Sequence, residues 1–295
     1  MSPVEEHLAT RHSAGLFDFS FMGLYEFSGI PSLQHLQTRR LTNLQEGQIA
    51  YTLLLKDDGA VLIDATVWRL TAERFWLFTG CRSAYGGHDR SGEYAILALQ
   101  GPASGRILAR LVGADAVQAL KYFCFLQRQN LVVARLGFSG ELGYELLVPA
   151  ADATGLRQVL REAGRDQGLR DGSWAAADSL RIEAGYVLFD REVDGRANPR
   201  ELGLERLVDD SRTFEMRQRL VGLEILDGPA RRDLPVAKAT SECSSPTLGK
   251  RIALGYAEPG MQPGSPVRLA DGRLGRVASL PFFDPERRRP RAAPL

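Results

Sequence analysis

The stretch IAYTLLLKDDGAVLIDATVWRLTAERFWLFT, residues 49–79, has the pattern of three neighbouring strands. Its apolar runs Ile49–Leu55 and Ala60–Leu70 flank Lys56-Asp57-Asp58-Gly59, a sequence typical of a hairpin turn. A third run, Arg74–Thr79, follows after a short polar break. The stretch therefore predicts part of a β-sheet, with its first two strands joined by a tight turn.

Asp64 is the residue of this stretch that is hardest to place. It interrupts the run Ala60–Trp68, which is otherwise apolar on both faces of the predicted strand, and Asp fits poorly in mid-strand. Burial of an unpaired carboxylate costs free energy, so the side chain needs either a partner or a cavity. The residues alone leave two interpretations open: a buried Asp that accepts backbone N–H bonds, and a functional carboxylate.

Helices and strands are predicted along the rest of the chain as well. The patterns indicate helices over Ser2–Arg11, Ser32–Leu44, the segment after Gly101-Pro102, Ala151–Asp166 and Ser173–Glu183, and strands over Tyr94–Leu99, Asn130–Phe138 and Tyr144–Val148. From Leu220 onward, short strands and turns predict a small β-barrel or sandwich. The basic end, Pro285–Arg291, is typical of a disordered tail, and a binding patch is the less favoured interpretation.

Two further carboxylates stand out by their positions. Glu183 shares a face of the last predicted helix with Ala176 and Leu180 and lies in its final turn, where a negative charge opposes the helix dipole. A carboxylate that is unfavourable both because it faces the core and because it opposes the helix dipole is a candidate site residue, although a salt bridge to a nearby Arg explains it equally well. Glu141 lies in a tight turn between strands, where a solvated acid is the simpler interpretation.

The composition of the 295 residues argues against several classes of protein. The chain carries 37 basic and 36 acidic residues, and its net charge of +1 argues against nucleic-acid binding. No apolar run reaches the roughly 20 residues of a membrane helix, and the charged start lacks a signal-peptide core, so a cytoplasmic protein is expected. The cysteines and histidines lack metal-ligand spacing, and no nucleotide-binding glycine motif or GxSxG elbow is present.

Several blocks of sequence follow one another in a recognisable order along nearly the whole chain. They are Gly15–Gly23 (GLFDFSFMG), Tyr51-Thr52 with Gly59–Leu70, Gly101-Pro102-Ala103, Gly140–Pro149 (GELGYELLVP), Asp178–Tyr186 (DSLRIEAGY), Asn198-Pro199 with Gly203-Leu204, and Thr240–Tyr256. The series resembles the glycine-cleavage T-protein family of tetrahydrofolate-dependent aminomethyltransferases. Within that family the chain is most similar to the folate-binding half of dimethylglycine and sarcosine dehydrogenases, as a shortened stand-alone member.

The resemblance implies an α+β fold in which three modules form a cloverleaf around a central folate channel. Two modules are expected to be mixed α+β units, over residues 1–50 with 125–205 and over residues 51–124. The third, over residues 206–295, is expected to be a C-terminal β-barrel. The implied cofactor is tetrahydrofolate.

The family's functional residues can be carried over by position. Asp64 matches the family's essential aspartate and is the implied catalytic residue, which would orient the nucleophile and stabilise an iminium-like transition state. Glu183 matches a glutamate that hydrogen-bonds the pterin ring. The other implied folate-binding residues are Met22, Tyr51, Trp76, Phe78, Glu141 and Arg212, with Arg212 expected at the benzoyl-glutamate end.

The chain departs from the T-protein pattern at several points. Phe21 stands where T-proteins usually have His, and Ala177 where they usually have Arg. Relative to the family the chain begins late, and the loop Cys81–Glu93 is shortened. Both differences are expected to open the folate channel or to remove substrate contacts.

The implied function is a tetrahydrofolate-dependent one-carbon transfer from an aminomethyl, N-methylene or N-methyl donor. One alternative is a non-catalytic folate-binding protein that supports iron–sulfur enzymes, and another is a tetrahydrofolate-dependent O- or S-demethylase. Asp64, together with the absence of the Lys-Gly-Cys-Tyr block of the non-catalytic group, favours the enzyme. Expected partners are a small amine or methyl donor and a carrier protein or flavoenzyme, with neither nucleic acid nor membrane; the sequence does not identify the donor.

Overall fold

The computed structural model describes residues 2–209 and 211–295. Within these residues the helices are α1 (Pro3–His12), α2 (Ile30–Gln34), α3 (Ser104–Val112), α4 (Ala114–Ala119), α5 (Ala153–Gly164) and α6 (Trp174–Glu183), none of them long and apolar enough to cross a membrane. The strands are β1 (Ala14–Asp18), β2 (Gly23–Ser28), β3 (Ile49–Leu55), β4 (Val61–Arg69), β5 (Arg74–Thr79), β6 (His88–Asp89), β7 (Tyr94–Gln100), β8 (Phe125–Arg128), β9 (Leu131–Ala134), β10 (Gly143–Pro149), β11 (Leu169–Asp171), β12 (Arg219–Pro229), β13 (Val236–Ser245), β14 (Lys250–Ala257), β15 (Pro266–Leu269) and β16 (Arg273–Ala278).

The first sheet has the strand order β11-β1-β7-β10-β9-β8 and is covered on both faces. On β1, Leu16 belongs to the core under helices α3 and α5, whereas Phe17 belongs to a second core that includes Trp68 of β4. Leu97 and Ala98 of β7 alternate in the same way. Because successive strand residues point to opposite faces, this alternation decides which side chains face the centre of the molecule.

The second sheet has the order β3-β4-β5-β2-β6 and packs one face against the first sheet. Trp68 and Phe78 lie in the core between the two sheets, and their neighbours Val67 and Leu77 lie in the core on the other side. Asp64 is four residues before Trp68 on the same strand, so it shares the face of Trp68. The pleat of β4 therefore points the Asp64 carboxylate toward the first sheet.

The third module is a closed barrel of strands β12-β14-β13-β15-β16. Helix α6 packs on β13 and β14 and links the barrel to the first sheet. Arg181 of α6 is fully buried and donates to Glu192 (2.6 Å) and to the hydroxyl of Ser241 on β13 (2.6 Å). Such a buried, charge-assisted contact fixes the orientation of the barrel relative to α6.

The structure confirms the predicted α+β architecture with three modules, the last of them a β-barrel. The helix predicted over Ser2–Arg11 is α1, with a capping box between Ser2 and Glu5. The helix predicted over Ser173–Glu183 is α6, and the Ser173 side chain accepts from the Ala176 N–H as an N-cap. The three strands predicted in residues 49–79 are β3, β4 and β5.

Other predictions need correction. The single helix predicted over Ser32–Leu44 is replaced by the short α2 and a 3₁₀ turn at Leu41–Asn43. Helix α2 begins before Ser32, with Gly29 as its N-cap and Pro31 in its first turn, and it ends after Gln34. The expected boundaries between the first two modules, after residues 50 and 124, do not coincide with the boundaries of the two sheets. Strand β2 lies before residue 50 but pairs with β5 in the second sheet, whereas β7 lies between residues 51 and 124 but pairs with β1 and β10 in the first. The chain crosses between the sheets twice, which no local pattern indicates.

Candidate functional site

A cavity of about 510 Å³ lies where the two sheets and the barrel meet. Strands β3, β4 and β5 line it from the second sheet, β10 from the first sheet, and the start of β12 from the barrel. The segment 185–189 after α6 and the C-terminal residues 287–291 complete the lining. This volume falls within the range of small-molecule sites, about 300–1,000 Å³.

Asp64 lines this cavity and has one side-chain partner among the described residues. Tyr51, on the neighbouring strand β3, donates its hydroxyl to Asp64 Oδ2 at 2.9 Å. Burial raises the pKa of Asp64 to about 6, with the Tyr51 hydrogen bond acting against the rise. Asp64 thus combines the two properties of a functional carboxylate: it faces a cavity, and its pKa lies close to neutrality.

The apolar part of the cavity comes mainly from aromatic side chains. Met22 and Phe78, two of the predicted folate-binding residues, line it together with Phe138, which stacks on Tyr186 with ring centroids 6.1 Å apart. Trp76 lies outside the lining, because its indole N–H donates to Glu26 at 2.9 Å. The cavity therefore offers flat apolar surfaces suited to an aromatic ligand.

Glu145 of β10 also lines the cavity and is not among the residues predicted from the sequence. Glu145 is only 5% exposed, and no described residue forms a hydrogen bond or an ion pair with its carboxylate. Burial raises the pKa of Glu145 to about 7. A buried carboxylate without a protein partner that faces a cavity is a strong indication of a ligand that carries N–H donors.

Glu183, expected to bind the pterin ring, lies outside the cavity in a buried polar cluster. Arg11 of α1 donates to Glu183 Oε2 through Nη2 (2.8 Å) and Nε (3.1 Å). The Ser245 hydroxyl and the Thr247 N–H donate to Oε1, and His7 Nε2 lies 3.2 Å from the same oxygen. Burial alone would raise the pKa of Glu183, but His7 and Arg11 lower it to about 2. Both oxygens are thus occupied by the protein itself, which does not support the predicted pterin contact.

Glu141 belongs to the same cluster and is not a solvated turn residue. It is 3% exposed, and its Oε1 accepts from Arg11 (2.7 Å) and from Arg289 near the C-terminus (2.8 Å). Burial raises the pKa of Glu141, with the two guanidinium groups acting against the rise. Glu141 therefore joins α1, the turn before β10 and the C-terminal segment, and its place outside the cavity lining indicates a structural role.

Arg212, expected at the benzoyl-glutamate end of folate, is exposed and lies outside the cavity lining. Other arginines line the cavity instead, namely Arg206, Arg219, Arg287 and Arg291. Arg287 and Arg291 belong to the basic end predicted to be disordered. That prediction is wrong: Pro290 is buried, and Arg135 donates to the carbonyl of Ala292 at 2.6 Å.

Phe21, which replaces the family's usual His, lies at the rim of the cavity. Its ring meets Trp174 edge-to-face, with centroids 5.5 Å apart, and both side chains are nearly half exposed. The same pair borders a neighbouring cavity of about 420 Å³ that also includes Asp18, Asp178 and Asp190. The two cavities share this aromatic rim, so a molecule in one can approach a ligand in the other.

One signal in the sequence could have identified Glu145. It interrupts the apolar run of β10 just as Asp64 interrupts that of β4, so the same argument from buried carboxylates applies to both. Glu183 satisfies that argument too, and only the packing of α1 and the barrel against α6 shows that its partners are internal.

Comparison with known proteins agrees with this architecture. A family model described as the GCVT N-terminal domain matches residues 2–212, and the chain belongs to this family. The aminomethyltransferase of Symbiobacterium thermophilum is 33% identical over 98% of this chain and 91% of its own. That of Halothermothrix orenii is 32% identical over 96% and 92%.

A solved structure extends the likeness to three dimensions. The crystal structure of glycine cleavage system aminomethyltransferase T from Bartonella henselae matches with a TM-score of 0.81 at 25% identity. The match covers 96% of this chain and 90% of the other. All three modules are therefore within the common fold.

Proposed function

We propose that the protein is a tetrahydrofolate-dependent one-carbon transferase, with an aminomethyl, N-methylene or N-methyl group as the transferred unit. The observation that carries the proposal is that two carboxylates, the buried Glu145 and the partly buried Asp64, face one aromatic cavity with pKa values near neutrality. Membership of the aminomethyltransferase family supports the class of reaction. Burial of Glu145 without a protein partner costs free energy, so this carboxylate is unfavourable for stability until a ligand binds it.

The residues present fit a reduced folate. A pterin ring carries adjacent N–H donors, which would satisfy the unpaired Glu145 carboxylate through two parallel hydrogen bonds. We therefore assign to Glu145 the pterin contact that the resemblance implies for Glu183. Phe78, Phe138 and Met22 supply the flat apolar walls for the ring system, and the arginines of the lining supply partners for the carboxylates at its other end.

Asp64 would act as the anionic group beside the reacting carbon. When bound, tetrahydrofolate would supply amine nitrogens for the one-carbon unit: a methyl group replaces one N–H proton, which leaves with the donor, whereas a methylene group replaces two N–H protons, which leave with the two groups displaced from its carbon. The carbon carries positive charge during this exchange, and a carboxylate fixed at 2.9 Å from the Tyr51 hydroxyl is already oriented to stabilise it. Because the pKa of Asp64 is about 6, the required carboxylate form predominates at neutral pH.

The neighbouring cavity offers a place for the donor. It joins the folate cavity at Phe21 and Trp174, so a donor group carried by a protein arm or by a small amine could reach Asp64 from that side. The name of the Bartonella relative assigns it to the glycine cleavage system, which supports a carrier protein as one source. The replacement of His by Phe21 favours a donor with apolar character at this rim.

The test is calorimetric binding of tetrahydrofolate to the wild type, to Glu145→Gln and to the control Glu162→Gln. Glu162 is exposed and pairs only with Arg165 among the described residues, so its variant should bind like the wild type. We expect Glu145→Gln to weaken binding at least about tenfold, the loss of a charge-assisted hydrogen bond of about 1.5–3 kcal/mol. Absence of binding by the wild type would refute the proposal.

Turnover is then measured as methylene- or methyl-tetrahydrofolate formed with aminomethyl-carrier, sarcosine, dimethylglycine and methylthio donors. The proposal expects transfer from a nitrogen-linked donor and its loss in Asp64→Asn with folate binding retained. Folate binding without transfer from any donor would instead favour the non-catalytic folate-binding protein, and transfer only from the methylthio donor would favour the demethylase.

A further inference from the structure

The cavity that contains Asp64 and the neighbouring cavity share an apolar passage, called the neck below. The side chains that line both cavities are Phe19, Phe21, Trp174, Leu188 and Phe189. Phe21 meets the rings of Phe19 and Trp174 edge-to-face, with centroids 6.0 and 5.5 Å apart. Every charged residue that lines the neighbouring cavity is outside this shared set. A group that moves from one cavity to the other therefore passes an apolar surface.

The ring of Phe189 brings the neck to the side of Asp64. Thr79 of β5 pairs with Ala65 of β4, so the next residue, Gly80, follows opposite Asp64. A Cβ on Gly80 would lie only 2.5 Å from the Phe189 ring, which thus fills the space of a side chain at this position. Directly opposed residues of neighbouring strands point to the same face of a sheet. The ring therefore covers the face to which Asp64 points.

A tight turn holds Phe189 in this position. The carbonyl of Leu188 accepts from the N–H groups of residues 191–193 at 3.2–3.3 Å. The fully buried carboxylate of Glu192 accepts from the Leu188 N–H at 3.0 Å and from Arg181 at 2.6 Å. The protein itself thus fixes the ring beside Asp64, through its backbone and a buried ion pair.

Water at this point would compete with the folate amines for the one-carbon unit. Attack of water on a methylene group carried by tetrahydrofolate forms a bond from the water oxygen to the carbon and breaks the two C–N bonds. The two protons of the water pass to the two folate nitrogens, so the products are formaldehyde and tetrahydrofolate, without oxidation or reduction. Exclusion of water from a site prevents this kind of side reaction.

We propose that Phe189 is a specificity-determining residue that, together with the rest of the neck, keeps water away from the one-carbon unit on the folate. The donor group passes the neck, and the folate amine instead of water becomes its acceptor. Removal of the ring would leave a space beside the Asp64 carboxylate, and a space with polar partners admits water. The proposal rests on the proposed folate-dependent transfer and adds to it how the site selects between two acceptors.

The experiment follows the release of formaldehyde from 5,10-methylenetetrahydrofolate, with the protein in excess so that the folate is bound, and needs no donor. Formaldehyde is measured with a formaldehyde dehydrogenase. We expect the wild-type complex to release it about tenfold more slowly than the free folate does. In Phe189→Ala the rate should increase several-fold, whereas Phe189→Leu, which keeps a large apolar side chain, should remain close to the wild type. The control Phe214→Ala removes the same ring from a position outside both cavities and should keep the wild-type rate.

Calorimetry with the same folate reports that each variant is folded and gives the fraction bound. Doubling the protein concentration separates the two sources of formaldehyde, because release from the bound folate stays constant whereas release from the unbound fraction halves. Gly80→Ala serves as a second variant, since its Cβ would displace the Phe189 ring and should increase the rate even where Phe189→Ala does not bind.

The outcomes separate this inference from the proposed function. Release from the wild-type complex as fast as from the free folate would overturn the inference alone, because folate binding itself would be intact. A wild-type rate in both Phe189→Ala and Gly80→Ala, or an equal increase in Phe214→Ala, would also overturn it. Absence of folate binding by the wild type would refute the proposed function and this inference together.

Discussion

The hydroxyl of Tyr51 donates to the carboxylate of Asp64 at 2.9 Å, across two neighbouring strands of the second sheet. Both residues come from the strand–turn–strand stretch that begins the predicted sheet, and both line the cavity. Burial raises the pKa of Asp64 while this hydrogen bond lowers it, so Tyr51 sets how much of the carboxylate is ionised near neutral pH. Tyr51 is in this sense a positioning residue for Asp64.

Tyr51→Phe should therefore move the acidic limb of the pH–rate profile. In the wild type, activity should fall as pH decreases through about 6, because Asp64 becomes protonated. Loss of the donated hydrogen bond removes the effect that lowers the pKa of Asp64, so the limb should shift to higher pH in the variant, by on the order of one unit. A profile that keeps its acidic limb, in turnover measured from pH 5 to 9, would contradict the assignment of that limb to Asp64.

Glu145→Gln should stabilise the protein at alkaline pH while weakening folate binding. Burial raises the pKa of Glu145 from 4.5 to about 7, so the stability that the protonated form contributes is present below about pH 4.5 and is lost as pH rises through 7. A rise in pKa of this size corresponds to a loss of roughly 3 kcal/mol in the free energy of unfolding at pH 8. Urea unfolding should show the gain in free energy of unfolding at pH 8 and little difference at pH 4.

The matched control for that prediction is Glu162→Gln, whose carboxylate is exposed. It should change neither the free energy of unfolding at pH 8 nor folate affinity. Equal stability of Glu145→Gln and the wild type at pH 8 would mean that the carboxylate is solvated or paired in solution. A residue whose removal increases stability and lowers binding is typical of a functional site.

Arg11→Ala should destabilise the protein strongly. Arg11 is 2% exposed and pairs with both Glu141 and Glu183, so its removal leaves two buried carboxylates without their main cation. Breaking such a buried pair costs about 3–5 kcal/mol. Urea unfolding at pH 7 measures the loss, which should shrink below about pH 4 as the carboxylates become protonated.

The exposed pair Arg165–Glu162 provides the comparison. Arg165→Ala should change the free energy of unfolding by less than about 0.5 kcal/mol, because surface ion pairs contribute little. If Arg11→Ala changed the free energy of unfolding equally little, the cluster around Glu183 would have to be hydrated in solution. Glu183 would then be free to make the pterin contact predicted from the sequence.

Asp64 and the pair Glu145 and Glu183 show how far the sequence predicts the site. A single carboxylate in an apolar strand is visible in the local pattern, and for Asp64 the strand pleat also shows that the side chain shares the face of Trp68. For Glu183 the helix face is predicted correctly, but the identity of its partners depends on α1 and β13, which are distant in sequence. Resemblance to the family assigns residue types to a site without deciding which carboxylate remains unpaired.

Glu141 and Arg289 are a second case, since they are paired in space and separated by 148 residues. A turn acid and a basic C-terminus each have an ordinary explanation when considered separately, as solvated groups. Only together do they form a partly buried ion pair, and that pair holds the basic end beside the cavity. The same applies to the division of the two sheets, where β2 and β7 each pair with strands that are not their neighbours in the chain.

The close contact between Gly105 and Pro294 gives a final prediction, on how the C-terminal residues are held in place. A Cβ on Gly105 of α3 would overlap the backbone of Pro294, so Gly105→Ala should release the last residues and loosen residues 285–291. Trypsin should then cleave after Arg291 and Arg288 several-fold faster than in the wild type. Gly155 of α5 has open space around its Cβ position, and Gly155→Ala should leave cleavage unchanged while adding about 0.5–1 kcal/mol of stability. Equal cleavage rates in Gly105→Ala and the wild type would show that the contacts of Glu141 with Arg289 and of Arg135 with Ala292 suffice to hold these residues.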